Sequence, residues 1–114
     1  YHLILDCKSG NLDKIKSGDN IKRFVEELVP RIKMVAYGDP TIEHFATHIP
    51  EAAGYSLVQL IETSSITGHF VDKNGDCYID IFSCKEFDIE TAKQVVQEYF
   101  NPIQMRVTYL TRQA

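Results

Sequence analysis

Ser56, Ser64, His69 and Cys84 stand eight, five and fifteen residues apart, and together they carry the groups needed to make, and then use, an electrophile built from the chain itself. A serine hydroxyl can attack the carbonyl carbon of its own preceding peptide bond, converting the amide to an ester. Loss of the serine α-proton then expels the upstream segment as a carboxylate. The dehydroalanine left behind hydrolyses, releasing ammonia, to a pyruvoyl cap. Its ketone takes a substrate amine as a Schiff base and acts as an electron sink. Singly, each residue has a plainer account. Thr63-Ser64-Ser65 reads as a turn between strands, His69 as a strand histidine and Cys84 as packing, while Ser56 alone says nothing.

The elements that must hold these residues follow from apolar periodicity. His2–Cys7 reads as a first strand, and Lys8–Gly18 as a polar, turn-rich stretch. Asp19 or Asn20 is expected to cap a helix with Ile21, Phe24, Val25, Leu28, Val29 and Ile32 on one stripe. Pro30 should loosen its last turn. Met34–Tyr37 reads as a strand closed by the turn signal Gly38-Asp39-Pro40, and Thr41–Ile49 as a further strand. Tyr55–Glu62 is rich in β-formers. Ile66–Val71 should pair with Cys77–Ser83 across Asp72-Lys73-Asn74-Gly75-Asp76, whose Asn-Gly is a hairpin signal. Asp88 caps a second helix bearing Ile89, Ala92, Val95, Val96 and Tyr99, Asn101-Pro102 stops it, and Met105–Thr111 alternates as a final strand. The expected fold is a single α/β (α+β) domain over residues 1–114, a two-layer sandwich with a mostly antiparallel sheet and two helices on one face. Ser64 then begins a hairpin strand. His69 reaches the same sheet end only if that strand is irregular at Gly68.

Composition bounds the function classes. The 114 residues are 44% hydrophobic and 25% charged with a net charge of −4, which suits a soluble globular domain and argues against nucleic acid. No apolar run approaches the roughly 18 residues of a membrane helix, and no basic-then-apolar leader opens the chain. A cytoplasmic protein is expected, one that a few residues precede, since the chain opens on Tyr1. Cys7, Cys77 and Cys84 are odd in number and form no disulfide framework. His44 and His48 have the spacing of a metal pair, but they lack a third ligand and the Glu of His-Glu-x-x-His, so no metal is expected. Asp72-Lys73-Asn74-Gly75-Asp76 looks like the start of a calcium loop, yet Ser83 occupies the twelfth position where a bidentate Glu is needed.

The residues from Ser56 to Cys84 resemble, without a gap, the prokaryotic S-adenosylmethionine decarboxylases. Asp80-Ile81-Phe82-Ser83-Cys84 is similar to that family's Asp-x-Phe-Thr/Ser-Cys strand, and His2-Leu3-Ile4-Leu5-Asp6 to its opening strand. The resemblance covers most of the chain. It implies that Ser64 becomes the pyruvoyl group, that Ser56 and His69 assist self-cleavage, and that Cys84 donates a proton during decarboxylation. Cleavage at Thr63-Ser64 would give a β chain of residues 1–63 and an α chain of residues 64–114, and the uncut chain is the proenzyme. The implied substrate is S-adenosylmethionine, the implied pathway spermidine synthesis, and the implied assembly a homodimer with active sites close to the subunit interface.

Two stretches depart from the family. It has Glu-Ser-His where this chain has Thr63-Ser64-Ser65, and His-Thr-Trp-Pro-Glu where this chain has His69-Phe70-Val71-Asp72-Lys73. Glu62 and Asp72 lie one place from the missing acids. Two further classes therefore stay open: a non-processing homologue that acts as a binding or regulatory partner, and a pyruvoyl decarboxylase of another amino acid.

Overall fold

Six strands join into one antiparallel sheet in the computed structural model, which describes residues 1–114. The strands are β1 (His2–Lys8), β2 (Ala36–Phe45), β3 (Gly54–Ile61), β4 (Ser64–Val71), β5 (Cys77–Ser83) and β6 (Gln104–Leu110), in the spatial order β2-β3-β4-β5-β1-β6. Successive side chains of a strand point to opposite faces. In β1, Leu3, Leu5 and Cys7 are buried, and in β5 so are Cys77, Ile79 and Ile81. The residues between them (Ile4, Asp6, Tyr78, Asp80 and Phe82) face away from the core.

Helices α2 (Gly18–Arg31) and α3 (Ile89–Phe100) cover one face. The whole expected stripe of α2, Ile21 to Ile32, is buried, and full burial of each such side chain contributes about 1.5–3 kcal/mol. Phe24 and Phe70 both meet Phe100, with ring centroids 4.9 and 5.0 Å apart, which ties α2 and the sheet to α3. Asp88 caps α3 and Asn101 ends it in the left-handed region at φ 46°, as the sequence signals indicate.

Local details differ from expectation for identifiable reasons. Leu12–Ile15 forms a short additional helix, α1. Ser17, not Asp19 or Asn20, caps α2, its hydroxyl accepting from the Asn20 amide at 3.1 Å. Asn20 is buried instead, and its side-chain amide donates to the carbonyls of Lys14 and Tyr99, linking α1 to α3. Pro30 lies in the last turn of α2, and the helix ends one residue later. The two strands expected on either side of Gly38-Asp39-Pro40 are one strand, β2, whose register shifts between Tyr37 and Thr41. The buried Gln59 side chain donates to the Gly38 carbonyl at 3.2 Å and so satisfies that bulge from the core side.

The other face of the sheet carries no helix. Val58, Leu60, Tyr78 and Leu110 remain exposed on it, at 44%, 51%, 44% and 45%. They are interspersed with Ser56, Ser65, Thr67, His69 and Asp80 on the same face.

Candidate active site

Two clusters hold the four candidate residues. The first is on the open face. Ser56 of β3 and His69 of β4 are direct cross-strand partners, so their side chains share a face, and Ser56 Oγ lies 3.1 Å from His69 Nδ1. Both are half-buried. Tyr78 of β5 is the next residue in this row. A hydroxyl against a ring nitrogen is a group that can relay a proton.

The second cluster is at one end of the sheet. Glu62 and Thr63 form the two-residue turn between β3 and β4, since Ile61 pairs with Ser64. Ser64 is paired on its other side with Ser83, the last residue of β5, which brings the following residue, Cys84, against the turn. The Cys84 backbone N–H donates to the Thr63 carbonyl oxygen at 3.1 Å. That carbonyl belongs to the peptide bond preceding Ser64, and a donor on its oxygen stabilises the negative charge that develops when a nucleophile adds to its carbon. The Cys84 thiol is free and exposed.

The clusters are far apart within one chain. β4 runs without a bulge from Ser64 to Phe70, in register with both neighbours. His69, five residues along, is therefore about 16 Å from Ser64 at roughly 3.3 Å per residue, and on the opposite parity of the strand. The irregularity expected at Gly68 is absent. Gly68 serves packing: a Cβ there would stand 3.0 Å from the Phe70 ring, which lies across it on the helix-covered face.

Of the two acids one place from the family positions, one lies at the other end of the sheet from Ser64 and one in the turn before it. Asp72 is at the far end of β4, its Oδ2 2.6 Å from His44 Nε2, with its Oδ1 buried and without a partner. Glu62 is exposed in the turn. His44 and His48 join no group of three or more metal-ligating side chains. Two pairings went unread in the sequence. His2 Nε2 lies 2.9 Å from Asp80 Oδ1 on the open face, a contact latent in the two strand motifs. Ser83, buried and polar, donates its hydroxyl to Thr63 Oγ1 at 2.8 Å; its only sequence signal was its place before Cys84. Cys7 and Cys77 are register partners in the core. The Cys77 thiol is pushed well up from the ordinary range by its hydrogen bond to Cys7 and by burial, which keeps it protonated and inert.

Against known proteins, the family model for S-adenosylmethionine decarboxylase matches residues 1–113. Among solved structures, the adenosylmethionine decarboxylase from Aquifex aeolicus VF5 has a similar fold, with a TM-score of 0.76 at 18% identity over 99% of this chain and 93% of that one. No curated protein matches the sequence.

Proposed function

The chain belongs to the S-adenosylmethionine decarboxylase family, and from that premise we propose that it cleaves itself between Thr63 and Ser64 and then removes the carboxylate of S-adenosylmethionine. The observation that carries the reading is the Thr63 carbonyl held by the Cys84 N–H at the head of the Ser64 strand. In cleavage, Ser64 Oγ adds to the Thr63 carbonyl carbon and the Thr63–Ser64 C–N bond breaks to an ester. Removal of the Ser64 α-proton breaks the Cβ–Oγ bond and frees the Thr63 carboxylate. The cut falls at a turn, so β4 stays hydrogen-bonded to β3 and β5 on both sides, and the new end keeps its place.

The residues at this end of the sheet fit a pyruvoyl group at position 64. When present, that group supplies an electron sink for the charge left as carbon dioxide departs. The exposed Cys84 Sγ, next to Ser83 and hence beside position 64, holds the proton returned to the substrate carbon. A net charge of −4 suits a sulfonium substrate. The product is the aminopropyl donor for spermidine synthesis, and three free thiols support a cytoplasmic setting.

The assembly is a homodimer. Ser56 and His69 cannot serve Ser64 of their own chain across about 16 Å. A second copy packed on the open sheet face, with two-fold symmetry, supplies the pair in trans and buries Val58, Leu60 and Tyr78.

Intact mass during incubation tests the reading: the chain should give fragments of 63 and 51 residues, the second blocked to N-terminal sequencing. A chain that stays whole through refolding and addition of S-adenosylmethionine refutes it. One observation favours a second reading, a non-processing partner protein: positions 63 and 73 hold Thr and Lys where the family carries acids, and the neighbouring Asp72 is paired with His44 at the far end of β4. Cleavage followed by decarboxylation of a different amino acid would instead identify the third class.

A further inference from the structure

Thr63, the residue whose carbonyl must be presented, is held from two sides. One hold is the Cys84 N–H on its carbonyl oxygen. The other is a directional chain of hydroxyls. The Lys85 N–H donates to Ser83 Oγ at 2.9 Å. Ser83 Oγ donates to Thr63 Oγ1 at 2.8 Å, its shorter contact beside Met34 Sδ at 3.8 Å, and Thr63 Oγ1 donates to Met34 Sδ at 3.3 Å. Ser83 is wholly buried and Met34 is 7% exposed. A side chain in a two-residue turn usually points to water; this one is fastened into the core.

We propose that Ser83 is a positioning residue for self-cleavage, acting through the Thr63 hydroxyl to hold the Thr63–Ser64 peptide bond where Ser64 Oγ can add to it. The inference rests on the cleavage reading above. Its physical basis is that the two holds fix different atoms of one residue. The amide on the carbonyl oxygen alone leaves Thr63 free to turn about that contact. Adding the side-chain tether fixes the plane of the scissile peptide against β5. A misplacement on the scale of 1 Å at a reacting atom can cost about 100-fold in rate, which is the effect a loosened turn would have. Where the family carries glutamate before the cleaved serine, threonine here supplies the hydroxyl that Ser83 engages.

The experiment compares cleavage rates of the full chain for wild type, Ser83→Ala, Thr63→Val, the double variant and Ser83→Thr, by intact mass at a temperature where circular dichroism shows each folded. The two single variants should each slow cleavage by about 10- to 100-fold, the double variant should be no slower than the worse single one, and Ser83→Thr should restore the rate. Additive losses, or wild-type rates in Thr63→Val, overturn the proposal. Should Ser83→Ala fail to fold, Thr63→Val and Ser83→Thr decide it. A second readout uses the Ser64→Ala background, in which the chain stays whole. There, hydrogen exchange at the Cys84 amide should quicken by about tenfold when Thr63→Val is added, and unchanged exchange overturns the clasp. A wild-type chain that never cleaves refutes the parent reading instead, and exchange at Cys84 tells the two failures apart.

Discussion

If the Ser56–His69 pair of one chain serves Ser64 of another, two inactive variants should repair each other. Within a chain, the regular register of β4 separates Ser64 from His69 by five residues, about 16 Å at roughly 3.3 Å each. A proton-transfer partner must stand within about 3 Å or one water of its target. The gap is several times that reach, so a site confined to one chain would have no use for His69. His69→Ala should slow cleavage by about 10²–10⁴-fold, and Ser64→Ala should abolish it. Unfolded together in equal amounts and refolded, the two variants pair at random, and half of the dimers are hybrids. Each hybrid has one site with both Ser64 and a facing His69. About a quarter of all chains should therefore be cut, all of them from the His69→Ala parent. Tagging one parent with a mass label lets a single intact-mass spectrum count them. Absence of cut chains, with light scattering showing particles of about twice 13.0 kDa that carry both labels, would refute the trans arrangement. A His69→Ala chain that cuts at the wild-type rate would remove His69 from the mechanism altogether.

Other consequences are more local. Cys84→Ala should still yield fragments of 63 and 51 residues, while carbon dioxide release per cut chain falls by about 10²–10⁴-fold; unchanged release would place the proton elsewhere. A thiol reagent at pH 8 should titrate one cysteine, the exposed Cys84, in the native chain and all three after denaturation; the raised Cys77 thiol is still protonated at that pH, so early reaction of a second thiol would count against the packed Cys7–Cys77 pair. Gly68→Val sets a Cβ 3.0 Å from the Phe70 ring and should cost about 1–3 kcal/mol by overpacking in chemical denaturation, whereas Thr67→Val, on the open face beside Val58, should be nearly neutral.

The parts of the fold that could be read ahead are those in which pattern and burial coincide. The α2 stripe, the Asp88 cap and the Asn74-Gly75 hairpin each follow from a local rule, and the structure keeps them. The readings that changed turn on competition between rules. Asn20 is as good a cap as Ser17, and only the carbonyls of Lys14 and Tyr99, the latter 79 residues away, draw its side chain into the core. Gly38-Asp39-Pro40 has the composition of a turn. It becomes a bulge because Gln59, on the neighbouring strand, satisfies the displaced Gly38 carbonyl.

The candidate site shows the same division between identity and distance. Residue types and spacings name Ser56, Ser64, His69 and Cys84, but spacing along a strand fixes face by parity and separation by rise. By parity, His69 belongs with Ser56 on the open face and Ser64 with Ser83 on the other row. A bulge in β4 at Gly68 would flip the parity of His69 and bring it nearer to Ser64. Instead β4 keeps its register with both neighbours through Gly68, with the Phe70 ring packed across that residue, an arrangement with no signature in a list of residue types. The straight strand thus turns a four-residue motif into two half-sites. In the arrangement proposed above, a second chain covering the face that carries Ser56 and His69 brings that pair to the hydroxyl-tethered Thr63–Ser64 bond, which the regular register of β4 keeps out of reach within one chain.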